Sequence, residues 1–293
     1  MSEQTNPEAL WNRTPYRQRD RHLIDYQTYQ LDGAREEFRG PPVTGDAYVA
    51  CVGASQTFGR FVQAPFPNLI ARALGIEVLN LGRGGAGPTF PLGNPLLLER
   101  INHARAAVVQ VFSARSQSNS LFQVLDHGMF GRGRGNPQPI SAADFYTALL
   151  QEDEQLARQI VAETRANYVQ SMTELLDAIT VPKVLFWFSV RAPEYREQWR
   201  LPIHRLFGDF PQLVNREMVD QLRSHSDRYV ECVSRRGLPQ PLPGPILSGA
   251  PGTPPLPPGA EAKTENRYYP SPEMHEEAAA LLIPEVRALL DRR

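Results

Sequence analysis

The chain reads as an α/β fold, a central parallel sheet with helices on both faces, and three observations point there. Four runs, "AYVACVG", "IEVLNLG", "AAVVQVF" and "KVLFWFSV", are apolar almost throughout, as strands buried on both faces must be. Segments with helical spacing separate them, and this βαβ alternation is the pattern of a parallel sheet. The 293 residues, 41% of them hydrophobic, suffice for one sizeable domain.

The elements follow in order. Residues 1–45 are rich in Arg, Tyr, Asp and Gln without a steady period, and they close on "FRGPP"; we expect an extension packed over the domain of residues 46–293. The first strand, within 47–55, ends in Gly and small residues. "PFPNLIARALG" is a helix with Gly75 as its stop, "IEVLNLG" the second strand, "LLLERINHA" a helix and "AAVVQVF" (106–112) the third strand. Residues 114–140 are rich in Gly, Ser and Asn and read as a long loop, functional or mobile. One or two helices span 141 to about 179, "KVLFWFSV" (183–190) is the fourth strand, "PQLVNREMVDQLR" a helix and "YVECV" a short fifth strand. Residues 238–259 hold nine of the 27 prolines and read as a surface loop. The last helix starts at Pro272, with Ser271 as N-cap and Glu273 in its first turn.

Composition excludes some classes. A formal net charge of −1 supplies no global field for nucleic acid or an acidic membrane. There is no signal-like start and no apolar run long enough to span a bilayer, so a cytoplasmic protein without nucleic-acid or membrane partners is expected. Cys51 and Cys232 lie in apolar stretches and read as buried thiols. His22, His103, His127, His204 and His225 show no metal spacing, so no metal and no cofactor are expected; His127, in the Gly-rich loop, is within reach of the site as a lid residue.

In an open parallel sheet the ligand site lies outside the carboxyl ends of the strands. "VGASQTFGR", "NLGRGGAGPTF" and "VFSARSQSNS" all emerge there. Gly53, Ala54 and Ser55, then Asn80, Gly82 and Gly85 about thirty residues on, and the segment "NRYYPSPEMH" near the end resemble the sequence blocks of the SGNH (GDSL-like) hydrolases. The resemblance covers roughly 47–113 and 183–293. It implies a flavodoxin-like three-layer sandwich, Ser55 as nucleophile, and the amides of Ser55 and Gly85 as an oxyanion hole. The chain also resembles a bacterial family of uncharacterised activity that pairs G-A-S-Q-T-F-G with Y-Y-P-S-P-E-M-H.

Departures from the pattern decide the chemistry. The family's Asn after the third strand is missing; Arg115 stands nearby and suits an anionic group, with Asn119 the nearest amide. Aligned on "PSPE", the base His is replaced by Tyr269 and its orienting Asp by Asn266, which leaves His275 or a residue of the 114–140 loop as the candidate base. "FSVRAPEY" brings Arg191 and Glu194 to the same edge, so Arg60, Arg83, Arg115 and Arg191 would together rim an anion pocket, with Tyr269, Asn266, Arg83, Arg115 and Arg191 as substrate-binding residues. Three functions remain open. The first is a Ser55-dependent esterase or acyl transferase acting on a small-molecule or carbohydrate ester. The second is a sulfotransferase-like enzyme with an anionic nucleotide donor, and the third a degenerate enzyme that keeps the pocket for carbohydrate or ligand binding or for assembly with a partner.

Overall fold

The computed structural model describes residues 20, 23–125, 128, 130–135, 137–244 and 264–292. Its centre is a parallel sheet of five strands: β1 (Tyr48–Gly53), β2 (Glu77–Gly82), β3 (Ala106–Gln110), β4 (Lys183–Ser189) and β5 (Arg228–Val233). Their spatial order is β2-β1-β3-β4-β5, every neighbouring pair parallel. This is the flavodoxin-like order, with the chain reversing its direction of growth between β1 and β3.

Both faces of the sheet are dry. Along β1, Val49 and Cys51 face one core while Ala50 and Val52 face the other, the period of two that a strand imposes. The first core is closed by α2 (Phe66–Leu74) and the final helix α7 (Pro272–Leu290), which meet Phe186 and Phe188 of β4. The opposite core is closed by α3 (Pro95–Asn102), α4 (Ala142–Glu152), α5 (Glu154–Ala178) and α6 (Arg216–Arg223). A single turn of helix, α1 (Ser55–Phe58), follows β1 directly. Cys51 and Cys232 are free and buried, and burial pushes both thiols up in pKa.

The expected helix over 211–223 begins only at Arg216. Asn215 supplies the cap, its side chain accepting the Met218 amide at 3.1 Å, while Leu213 takes a left-handed φ of 64° that no helix tolerates. The Gly-rich stretch also carries more order than its composition suggests. Strands at Phe122–Val124, Phe130–Gly133 and Pro139–Ser141 form a small antiparallel sheet. Asn119 pins this sheet to the helical layer, donating to the hydroxyls of Tyr146 on α4 and Thr164 on α5. His127 and the proline-rich residues 245–259 lie outside the described residues.

The extension packs on the sheet edge. Tyr29–Gln30 pairs with Glu37–Phe38, Phe38 is fully buried, and Arg39 bridges antiparallel to Asn80 of the edge strand β2. No helix among the described residues is long and apolar enough to cross a membrane.

Candidate functional site

The turn after β1 is braced from below by one buried polar side chain. Gln110, at the end of β3 and fully buried, accepts the Ala54 amide at 3.0 Å and the Thr57 hydroxyl at 2.7 Å. Only glycine fits at Gly53, because a Cβ there would collide with the Thr57 hydroxyl and the Gln110 carbonyl oxygen. The short helix α1 that this brace supports opens on Ser55, 8% exposed. Its carbonyl accepts Gly59 N–H at 3.0 Å, yet neither its hydroxyl nor its amide has a hydrogen-bond partner among the described residues.

The second strand end is locked to the first. Asn80 accepts the Gly82 amide at 2.9 Å and donates to the Thr57 carbonyl at 3.0 Å, and Arg83 N–H reaches the Gly53 carbonyl at 3.0 Å. Gly82 lies so close to the Phe58 backbone that a Cβ has no room. From there the chain passes through Gly85, in the left-handed region at φ 78°, to Gly87, which packs on the carbonyl of Ser116. The 83–87 loop thus leaves β2 against α1 and ends against the segment that follows β3. Arg83 stacks on Phe90, with its guanidinium carbon 4.7 Å from the ring centroid.

The segment that follows β3 is joined to the C-terminal segment through Gln212. Ser113 donates to the Gln212 side-chain oxygen at 2.7 Å, Ala114 N–H to its backbone carbonyl at 3.0 Å, and the Gln212 amide nitrogen to the Tyr268 hydroxyl at 2.8 Å. Arg115 follows, half-buried, with its Nε buried and unpartnered. Burial raises the Tyr268 phenol pKa, and the Arg115 charge opposes that shift.

The segment 266–275 holds its expected residues in structural tasks. Asn266 spends both ends of its amide: it accepts Tyr268 N–H and Tyr269 N–H at 3.1 and 2.8 Å and donates to the Tyr269 carbonyl and to Gln240. The Tyr269 hydroxyl accepts from Arg60 at 2.9 Å, and Arg60 is itself bound to the buried Asp20 at 2.6 Å. His275 is fully buried between Phe66 and Phe188, on the face closed by α2 and α7. Its Nδ1 accepts the Phe66 amide at 3.1 Å, which puts the proton on Nε2, an atom with no partner among the described residues. Burial, with the Arg39 charge adding to it, lowers the His275 pKa to about 3. An imidazole with its lone pair engaged and its other nitrogen protonated has nothing to offer a serine, so this placement argues against the base role expected of His275.

Arg191 is likewise consumed. It donates to the carbonyls of Asp209, Ala192, Pro211 and Val214 and stacks on Trp187 and Tyr195, clamping the 209–214 loop. Burial lowers its pKa to about 10. Glu194, expected beside it, pairs instead with Arg216 at 2.5 Å. Of the expected rim of four arginines, Arg60 and Arg191 are spent on the protein, Arg83 stacks on Phe90, and Arg115 keeps a buried nitrogen without a partner among the described residues.

Several residues that shape the site escaped sequence reasoning. Arg39 donates to the carbonyls of Phe58, Gly59, Val62 and Gln63, the C-terminal end of α1 and the loop beyond it. Tyr26 accepts the Phe61 amide at 3.2 Å and Gln240 donates to the Phe61 carbonyl at 2.9 Å, holding Phe61 at a left-handed φ of 65°. Gln110 alone carried a legible signal, a polar residue inside an apolar strand. Among the described residues no cluster of three or more His, Cys, Asp or Glu is arranged to hold a metal.

Comparison with known proteins gives the following. A search of curated proteins finds no match. Among solved structures, the chain is similar to the acetyl xylan esterase Est2A from the rumen bacterium Butyrivibrio proteoclasticus, at 12% identity over 87% of this chain and 67% of that one, TM-score 0.42. It is similar to phospholipase A1 from Streptomyces albidoflavus NA297 at 12% identity over 83% and 98%, TM-score 0.42. A candidate SGNH hydrolase from Slackia heliotrinireducens shares 17% identity over 82% and 98%, TM-score 0.39. The family model described as "Domain of unknown function (DUF6473)" matches residues 15–127 and 143–290, segments that carry the braced turns, the Arg39 clamp and the 266–275 loop, and the chain belongs to that family.

Proposed function

We propose that the strand-end site is that of an atypical serine esterase or acyl transferase, with Ser55 as the attacking group and the amides of Ser55 and Gly85 as donors to the developing oxyanion. One observation carries this reading. In a turn where Gln110, Asn80, Thr57 and Arg39 are all engaged in holding the backbone, the Ser55 hydroxyl and amide are left without partners among the described residues. A donor fixed in place and unspent stabilises charge that appears only during reaction. In this reading Arg115 and Tyr268 bind the substrate, while Asn266, Tyr269 and Arg191 hold the loops that present it. With the imidazole of His275 engaged, the proton that Ser55 loses on attack passes to water and not to a base of that segment, which implies slow turnover.

Labelling of the purified protein with a fluorophosphonate probe tests the proposal. Ser55→Ala abolishes labelling, whereas His275→Asn, which keeps an acceptor for Phe66 N–H, leaves it intact. Loss in both variants would return the base role to His275. A second reading, ligand binding without turnover, is favoured by the same engagement of His275; absent labelling in the wild type would select it.

A further inference from the structure

A small cleft opens beside α1, lined by Gln56, Phe188, Ser189, Tyr268, Pro270 and Met274, with a volume of about 40 Å³. Water-sized atoms need about 10–15 Å³ each, so it admits roughly three and cannot hold a ring. Its floor, Phe188 and Met274, is apolar and fully buried or nearly so. Ser189 is already spent, donating to the Phe210 carbonyl at 2.5 Å and accepting Arg191 N–H at 3.0 Å.

Gln56 is not spent. It is 4% exposed, and its side-chain oxygen is buried with no partner among the described residues. A buried carbonyl oxygen lacks a donor only at a cost, and Gln56 is one of the residues that line the cleft. A hydroxyl or hydroxymethyl group fits both the volume and the missing proton.

What carries that group must lie outside the cleft, on the face of Tyr268. This ring is 44% exposed, one of the few large hydrophobic side chains so open, although its hydroxyl is tied inward to Gln212. Hydroxylated rings stack on such a face through their C–H edges. Arg115 follows Ala114, which is linked through Gln212 to the Tyr268 hydroxyl, and its side chain carries no ion pair or hydrogen bond among the described residues. The guanidiniums that line the cleft itself are paired already, Arg235 with Asp209 and Arg267 with Glu265.

We propose that Gln56, Tyr268 and Arg115 form a subsite for a sugar bearing an anionic substituent: a hydroxyl enters the cleft and donates to Gln56, the ring stacks on Tyr268, and the anion pairs with Arg115. This deepens the esterase reading by naming the group attached to the ester, and it rests on that reading for the location of the ligand at the strand ends.

Titration of the full chain with glucose 1-phosphate, glucuronate, methyl glucoside and inorganic phosphate, followed by calorimetry, tests it. The two anionic sugars bind saturably and more tightly than either methyl glucoside or phosphate. Gln56→Leu and Tyr268→Ala each weaken them by about tenfold, the loss of one good contact. Arg115→Met removes the preference for anionic over neutral sugar. Thermal melts verify that the variants fold, with Gln56→Met, close to the native shape, as the substitute where Gln56→Leu does not. Binding of phosphate as tight as that of the sugar phosphate, unchanged affinity in folded Gln56 variants, or no saturable binding by any sugar overturns the subsite. Failure of the serine reading looks different: the sugars bind, Ser55→Ala binds them equally, and fluorophosphonate leaves Ser55 unlabelled.

Discussion

The imidazole of His275 receives the backbone amide of Phe66 at 3.1 Å, so that a side chain of the last helix caps the first turn of α2. Pro65, at the N-cap position of α2, has no side-chain acceptor, and His275 supplies one from across the core. Truncation to Ala leaves the amide unpaired and opens a cavity beside Phe188, so His275→Ala costs about 3 kcal/mol and His275→Asn clearly less. Urea denaturation of both variants measures the difference.

The same contact makes stability depend on pH in a defined window. The folded His275 pKa is lowered to about 3 from 6.5, so between these values the unfolded chain binds a proton that the folded chain refuses. Its contribution is complete above pH 6.5 and is lost progressively as pH falls towards 3, a total of about 5 kcal/mol. Denaturation midpoints at pH 7 and pH 5 therefore separate more widely in the wild type than in His275→Asn. Equal separation would mean that the ring is not buried neutral.

Gly82 faces the backbone of Phe58 with no space for a methyl group. Gly82→Ala must push α1 away from the 83–87 loop, with a cost of about 2–3 kcal/mol in the melting curve. If Ser55 and Gly85 cooperate, fluorophosphonate labelling slows in this variant even at temperatures where it remains folded.

Arg39 is buried and reaches four carbonyls around the end of α1. Lysine keeps the charge but offers one nitrogen in place of a planar fork, so Arg39→Lys strands buried carbonyls and loses about 2–3 kcal/mol. Stability of Arg39→Lys equal to wild type in chemical denaturation would show the fork to be dispensable.

Asp20 and Tyr269 hold Arg60 from opposite ends of the chain. Asp20→Asn removes the charge from a buried pair, destabilising the fold by about 3 kcal/mol. It also frees the Tyr269 loop, which amide exchange at residues 266–270 reports as faster opening.

The sheet was legible because its strands are short apolar runs cut off by small residues, and the final helix because Ser271, Pro272 and Glu273 mark its start. The site was legible only as far as backbone conformation went. Glycines at 53, 82 and 85 advertise close approach or left-handed φ, and the structure uses them so. The roles of Asn266, Tyr269, Arg191 and His275 were not legible, because whether a polar side chain serves the protein or a ligand depends on partners distant in sequence: Gln240 for Asn266, Arg60 for Tyr269, the 209–214 carbonyls for Arg191 and Phe66 for His275. Arg39 lay in a stretch with no period, where nothing marked it as the clamp of a turn twenty residues on.

The loop from Phe58 to Gln63 takes its supports from Asp20, Tyr26 and Arg39 on one side and from Gln240 and Tyr269 on the other. The shape of this loop thus depends on residues that lie on both sides of β1 to β4 in the sequence, and those strands alone do not specify it. Gln240 and Tyr269 therefore act on the chain just after the Ser55 turn from far along the sequence, a dependence that the turn's own residues do not reveal.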